Sequence, residues 1–273
     1  DALPIYGVSK PVLFLNSVGN SLKYNISPLE YFLFHFFEKN SVEKAKWAGT
    51  GFMYEYQKLM NPLSTRETLL NKAKFLKHNA AFITHKWLEI ENGDFDRLRE
   101  FVESVQGKKI VLKNIAGNCG IGVQVIDTKN TSVDNIIALA KQHNLTLVEE
   151  FIYQHDELSR LSPSALNTVR IFTQIVNDKV VILGTRLRIS VNSNVDNLAA
   201  GNMAAAVDEK TGVIVRPAIY SDITKEPESV HPITGVNIVG FHIPNWDLVL
   251  QKVKEIALHN KKNRSEEHTS ELQ

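Results

Sequence analysis

Hydrophobic and polar positions divide the chain into a helical first part and a strand-rich second part. Over residues 27–38, "SPLEYFLFHFFE" places serine at an N-cap, proline at the first helical position and a thick apolar face behind them, which predicts a helix. A second helix is predicted over residues 64–79. There Ser64 and Glu67 have capping-box spacing, and Leu69, Leu70, Ala73 and Leu76 form the buried stripe. "ENGDFDRLREFVESV" predicts a third, capped near Asp94.

The pattern changes at Lys108. "KKIVLKN" reads as a strand, a glycine-rich loop follows, and "GVQVID" reads as a second strand, so the three make a hairpin. A helix in "SVDNIIALAKQH" and a short apolar strand in "LTLVEEFI", ending in two carboxylates, come next. "NTVRIFTQIV", an Asn177-Asp178 turn and "KVVILGTRLRIS" predict a long hairpin. On it Arg170 shares a face with Phe172 and Gln174, and Arg186 shares one with Arg188. Further strands fit "MAAAVD" and "GVIVRPA", and a last helix fits residues 246–259. This order predicts an α+β protein with antiparallel sheets, preceded by a helical N-terminal part.

Composition narrows the function classes. With 273 residues, 43% hydrophobic and 22% charged, the chain is long enough for a large core and divides more naturally into two lobes than one. A single cysteine excludes an intrachain disulfide framework and a Cys-rich zinc site, which suits a reducing, cytoplasmic setting. The longest apolar stretches fall short of the ~18 residues a membrane helix needs, so no membrane span is expected. The last ten residues, "RSEEHTSELQ" (264–273), resemble the translation of a common sequencing adapter. They are expected to be a non-native tail on a chain cut short before its natural end. Setting aside the tail's one arginine and three glutamates leaves 30 basic and 27 acidic residues, a charge of +3 instead of +1. Either value is too small to argue for nucleic acid or an anionic membrane.

The candidate chemistry begins in "VLKNIAGNCGIGVQVID". Three of the chain's 14 glycines, Gly117, Gly120 and Gly122, fall within six positions around Asn118 and Cys119. Glycines at this density let backbone N–H groups approach a bulky anion. The segment is not a Walker A loop, because Val123 and Gln124 follow the last glycine and a strand continues. Its G-x-x-G-x-G order also differs from the dinucleotide fingerprint. Lys113 on the entering strand can neutralise phosphates that the loop covers; the alternative is an ordinary hairpin with a surface lysine. In "LVEEFIYQHDE" the backbone from Glu150 through Phe151 to Ile152 can face an adenine edge, with carboxylates nearby, although Glu149 and Glu150 taken singly read as solvated acids. An inward Arg170 needs an anion, either a ligand's phosphate or carboxylate or a structural acid. Arg186 and Arg188 are anion-binding candidates on the next strand. Asp196, Asn197 and Asp208 are weak candidates for Mg²⁺ and read more readily as turn formers. The nine histidines show no zinc spacing, and Cys119 reads as a small spacer.

Four runs, "LKNIAGNCGIGV", "EEFIYQHDELSRLSPSALNTVRIFT", "LRISVNSNVDNLAAGNMAAAVDEKTG" and "HPITGVNIVGFHIPNW", resemble the sugar-transfer-associated branch of the ATP-grasp superfamily. The resemblance covers most of the chain. It implies two α+β lobes gripping ATP with Mg²⁺, a small-molecule carboxylate activated as an acyl phosphate, and attack by an amine or other nucleophile. Its domain plan is a helical part over 1–107, a small lobe over 108–152, a large lobe over 153–263 and the tail. By position, Lys113 and the loop Gly117, Asn118, Cys119, Gly120 and Gly122 look like the phosphate contacts. Lys72 looks like the first ATP lysine, with Lys74 the competitor. Glu149, Glu150, Phe151 and Ile152 look like the adenine hinge, and His155, Asp156 or Glu157 like the ribose contact. Asn167, Arg170 and Arg188 look catalytic. The main metal ligands of the family are expected beyond residue 263, which puts this chain's own activity in question. The implied function is a carboxylate–amine ligase, with a role in cell-surface polysaccharide or sugar-modification pathways. The alternatives are an ATP-binding module without ligase activity and a kinase-like phosphotransferase.

Overall fold

The computed structural model describes residues 9–63, 68, 70–115, 122–261 and the backbone of 265–271. The chain forms two compact units, Asp1–Leu63 and Ser64–Gln273.

The first unit is helical: α1 (Lys10–Tyr24), α2 (Pro28–Leu33), α3 (Ser41–Lys44) and α4 (Thr50–Met60). At the start of α2, Ser27 Oγ accepts from the Glu30 N–H (3.2 Å) and the Glu30 carboxylate accepts from the Ser27 N–H (2.7 Å). The other Glu30 oxygen accepts from the N–H and hydroxyl of Thr50 at 2.8 and 2.6 Å, so one carboxylate ties the starts of α2 and α4 together. The single helix expected over 27–38 is broken. It stops at Leu33, His35 enters the left-handed region (φ 50°), and a 3-10 turn, Phe36–Glu38, follows. An almost continuous aromatic run has no single apolar stripe, and a straight helix would leave part of it in water. The break instead carries Phe36 into full burial against the edges of Tyr24 (5.6 Å) and Tyr31 (6.5 Å).

The second unit holds two antiparallel sheets. The first contains β1 (Trp87–Glu89), β2 (Lys109–Lys113), β3 (Gln124–Asp127) and β4 (Leu147–Glu150), in the order β1-β4-β2-β3. Helices α6 (Phe95–Ser104) and α7 (Val133–Gln142) cover one face of it. Asp94 caps α6 and Ser132 caps α7. Leu98 and Val102 from α6 and Ile136, Ile137 and Ala140 from α7 pack on Ile110, Leu112, Ile126 and Val148. Ahead of this sheet lies α5 (Lys72–His78), whose Asn71 cap accepts from the Lys74 N–H. Of the longer helix expected over 64–79, Ser64, Glu67 and Leu69 lie outside the described residues. Leu70 is exposed because it precedes the Asn71 cap, whereas Ala73 and Leu76 are buried.

The second sheet runs β8-β7-β6-β5-β9, from β5 (Thr168–Val176), β6 (Lys179–Ile189), β7 (Met203–Ala206), β8 (Ile219–Tyr220) and β9 (Ser265–Glu271). Asn177 and Asp178 both take positive φ, which suits the twist of a two-residue hairpin between β5 and β6. Val169, Ile171, Leu187 and Ile189 face a core closed by α8 (Asp156–Leu161) and α9 (Trp246–His259). Gly212 (φ 71°) is required there, because a Cβ would lie 2.4 Å from Trp246 Cγ. The residues of the adapter-like tail pair along β5 as β9. Such pairing uses backbone groups and makes few demands on sequence. The protein is therefore α+β with antiparallel sheets and a helical N-terminal part. Among the described residues no helix is long and apolar enough to cross a membrane.

Candidate functional site

Side chains alternate along a strand, so burying Ile110 and Leu112 under α6 and α7 turns Lys109, Val111 and Lys113 to the opposite face. Register then decides what Lys113 meets. Val111 stands opposite Glu149 and Lys113 opposite Leu147, so Glu149 shares the face of Lys113 while Glu150 falls on the other. Lys113 Nζ forms an ion pair with Glu149 Oε2, and His85 Nε2 lies 3.2 Å from the other oxygen. These side chains are largely enclosed: Glu149 is 10% exposed, His85 12% and Lys113 24%. Glu150 instead pairs with Lys108 Nζ at 2.5 Å and accepts from the Lys86 N–H. The two adjacent acids thus have separate environments.

Lys72, at the start of α5, donates to the carbonyls of Asn114 (3.1 Å) and Ile115 (3.3 Å), the residues that lead from β2 into the glycine loop. Its competitor Lys74 is exposed. At the far end of α5, buried Asn260, the cap that follows α9, donates to buried Asn79 (2.9 Å), tying the helix that carries Lys72 to the second sheet's layer. Burial holds the Lys72 ammonium below the ordinary lysine value, repulsion from Lys113 adds to this, and attraction to Glu149 offsets part of it. For Glu149, burial pushes the carboxyl up. The hydrogen bond with His85 and the charge and hydrogen bond of Lys113 outweigh it, leaving the group below the ordinary glutamate value. One lysine thus pairs with the buried carboxylate and a second lies within its electrostatic reach, an arrangement suited to a polyanion.

A pH dependence follows. The folded pKa of Glu149 is depressed, so its contribution to stability is present above the ordinary glutamate value and is lost as pH falls through the lower folded value. Chemical denaturation across this acidic range should show that loss in the wild type and a shallower loss in Glu149→Gln. Identical slopes would contradict the assignment.

Of the glycine loop, Gly122 is described, at φ 75°, with no atom of the described residues within 4 Å of a Cβ placed on it; Gly117, Asn118, Cys119 and Gly120 lie outside the described residues. Beyond β4, the Phe151 N–H donates to the Lys109 carbonyl (3.1 Å), and the Phe151 ring meets Tyr153 edge to face at 5.0 Å. Ile152 is half-buried. His155 caps α8 by accepting from the Glu157 N–H, and Asp156 is exposed on its first turn.

On the second sheet, Arg170 stands opposite Arg186, whose guanidinium lies 4.6 Å over the Phe172 ring. Arg188 reaches Asp196 twice, Nη2 to Oδ1 at 3.0 Å and Nε to the backbone carbonyl at 3.1 Å. Asp196 Oδ2 accepts from the N–H of Thr168 (3.1 Å) and from its hydroxyl. Burial dominates this carboxyl and raises its pKa against the pull of Thr168 and Arg188. Asn197 caps a short turn through the Ala199 N–H, and Asp208 closes another through Lys210 and Thr211. Among the described residues no three His, Cys, Asp or Glu side chains gather where they could hold a metal ion.

Asn167, expected to be catalytic, is fully buried. Its Nδ2 faces Gln154 Oε1 (2.8 Å), the Ser162 carbonyl (2.8 Å) and the Ala165 carbonyl (3.3 Å), and its Oδ1 accepts from the N–H (2.8 Å) and hydroxyl (3.2 Å) of Ser190. This amide joins the segment after β4, the start of β5 and the end of β6. Sequence reasoning missed His85 and Gln154. The partner of His85 lies 64 residues away and that of Gln154 13 away, and neither has a local spacing signal.

Fold and cluster together define an α+β protein with Lys113 paired to a buried carboxylate on the sheet face opposite α6 and α7, and with Lys72 held at the end of β2. The chain belongs to the sugar-transfer associated ATP-grasp family, whose model matches residues 52–265. A comparison with curated proteins gives no match. Among solved structures, the chain is similar to D-alanyl-alanine synthetase A from Vibrio cholerae (11% identity, 75% of this chain and 52% of that one, TM-score 0.40). It is also similar to D-alanine–D-alanine ligase from Bacillus anthracis (13% identity, 98% and 80%, TM-score 0.40). A third is carboxyaminoimidazole ribonucleotide synthase from Aspergillus clavatus complexed with ATP (16% identity, 47% and 31%, TM-score 0.35). The chain spans about half the length of the Vibrio cholerae synthetase it matches.

Proposed function

We propose that this chain is an ATP-dependent ligase that activates a small-molecule carboxylate as an acyl phosphate for attack by an amine or related nucleophile. The observation that carries the reading is the placement of Lys72 and Lys113 around buried Glu149, beside a glycine loop, in a chain of the ATP-grasp family. In this proposal Lys72, Lys113 and the loop Gly117, Asn118, Cys119, Gly120 and Gly122 hold phosphates. Glu149 to Ile152 face adenine, and Asp156 reaches the ribose. Arg170 and Arg188 offset the charge of the transferring phosphoryl group. Asn167 positions the segment that carries the hinge.

A carboxylate oxygen attacks the γ-phosphorus, the bond to the β–γ bridging oxygen breaks, and ADP leaves with that electron pair. The amine then attacks the acyl carbon, inorganic phosphate departs, and the amine loses a proton. Magnesium is the cation expected with ATP. Asp196, already committed to Arg188 and Thr168, and Asn197, capping a turn, do not fit it, so no step is derived through the metal. A cytoplasmic location, where ATP is available, goes with this reading. Cell-surface polysaccharide or sugar-modification chemistry is proposed from the family's description.

The test is ADP release from Mg-ATP across a panel of small carboxylates, with hydroxylamine as the trap. Carboxylate-dependent ADP release with hydroxamate formation is expected. Formation of a stable phosphorylated alcohol instead, or ATP binding with no turnover on any carboxylate, would overturn ligase activity for this chain.

A further inference from the structure

We infer that His231 is a positioning residue for the adenosine end of the proposed ATP site: its ring clamps the segment that follows the adenine hinge against the end of β6. The inference rests on the ATP-site reading above and extends it to a residue that acts through others.

His231 lies in the loop between β8 and α9 and is 2% exposed. Its partners set which ring nitrogen carries the hydrogen. Nδ1 lies 3.3 and 3.2 Å from the N–H groups of Ile233 and Thr234, which can only donate, so Nδ1 accepts. Nε2 therefore carries the hydrogen and donates to the Ser190 carbonyl (2.9 Å). From Ser190 the direction of each hydrogen bond is fixed in turn. The Ser190 N–H donates to Asn167 Oδ1 (2.8 Å), which leaves Asn167 Nδ2 to donate to Gln154 Oε1 (2.8 Å) and Gln154 Nε2 to donate to the Ser162 carbonyl (2.9 Å). Gln154 stands two residues after Ile152, the end of the proposed hinge. The loop of His231 also grips the far end of this segment. Thr234 Oγ donates to the carbonyl of Leu161 (2.8 Å), the last residue of α8, whose first residue, Asp156, is the proposed ribose contact. Residues 154–161 are thus held at both ends from one loop. The proposed phosphate contacts Lys72 and Lys113 sit instead on α5 and β2, so a fault at His231 reaches the base and ribose before the phosphates.

Two substitutions separate the halves of the ring. In His231→Asn the amide oxygen takes the place of Nδ1 and accepts from Ile233 and Thr234, but the side chain is too short for Ser190; in His231→Gln the amide nitrogen takes the place of Nε2 and donates to the Ser190 carbonyl. ATP and inorganic tripolyphosphate, which has the phosphates without the adenosine, are titrated calorimetrically into wild type and both variants. His231→Asn is expected to bind ATP about three- to tenfold more weakly than wild type with its tripolyphosphate affinity unchanged, and His231→Gln to bind ATP more tightly than His231→Asn. Wild-type ATP affinity in His231→Asn would overturn the inference, and so would an equal loss in the two variants, which would place the effect in the loop rather than at Ser190. An equal loss for ATP and tripolyphosphate would show a general loosening of the fold and also overturn it. If a folded wild type binds no ATP, the ATP-site reading itself fails, whereas ATP binding indifferent to His231 defeats this inference alone. Thermal unfolding of all three proteins checks the fold. Thr234→Val, which removes the hydroxyl that holds Leu161 and keeps the side-chain shape, serves if neither His231 variant folds, and the same selective loss of ATP affinity is then expected.

Discussion

Replacing Lys113 by alanine is expected to weaken ATP binding by about 10- to 100-fold, the loss of one charge-assisted phosphate contact. The same change removes the ammonium that pairs with a carboxylate only 10% exposed. Glu149 then keeps His85 as its direct partner, and folding stability should fall by about 1–3 kcal/mol. The two losses have different remedies. Adding Glu149→Gln to the alanine variant removes the stranded charge and should return part of the stability without restoring ATP affinity. Lys113→Arg keeps the positive charge and should retain more of both. Urea denaturation and calorimetry on the same preparations separate the two effects, and a Lys113→Ala protein with wild-type stability and wild-type ATP affinity would contradict the geometry described.

The largest stability effect is expected at Asn167. Its Nδ2 faces Gln154 Oε1 and the Ser162 and Ala165 carbonyls, and its Oδ1 accepts from the N–H and hydroxyl of Ser190, within a region where Asn167, Ser162 and Ser190 are fully buried. Alanine leaves the buried Ser190 N–H without its partner, whereas Gln154 Oε1 keeps the Asn167 N–H, the Ser162 carbonyl keeps Gln154 Nε2 and the Ser190 hydroxyl keeps Ser162, so the orphaned donor and the emptied volume together are expected to cost about 2–4 kcal/mol. Asn167→Asp should not rescue it, because a carboxylate oxygen would then face Gln154 Oε1 and two carbonyl oxygens. Equilibrium urea unfolding measures the change, with an unaltered m-value showing that the unfolded state is the same. A shift below about 0.5 kcal/mol, the range of an ordinary surface substitution, would contradict the structural role.

These two residues also show what the sequence can and cannot reveal. The place of Lys113 at the end of a strand was legible because strand and loop are adjacent in the chain, and alternation along "KIVLK" already set its face. The strands on either side of Asn177-Asp178 were legible for the same reason, since a two-residue turn fixes both ends of a hairpin. The partner of Lys113 was not legible. Glu149 and Glu150 look alike in sequence, and only the register of β4 against β2 sends one to Lys113 and the other to Lys108. Asn167 lies three residues before Arg170 in the sequence, yet its contacts depend on Gln154 and Ser190, brought together by the ends of β5 and β6. The break at His35 was hidden as well, because "YFLFHFF" is apolar at nearly every position and so marks no single buried face, and the burial of Phe36 decides the outcome.

The proposed ATP site at Lys72 and Lys113, beside Glu149, can be tested by binding alone. Calorimetric titration of Mg-ATP into the wild-type chain and Lys113→Ala tests it most directly. Saturable binding by the wild type and affinity at least about tenfold weaker in the variant are expected. No saturable binding by a folded wild-type protein, or equal affinity in the two, would contradict it.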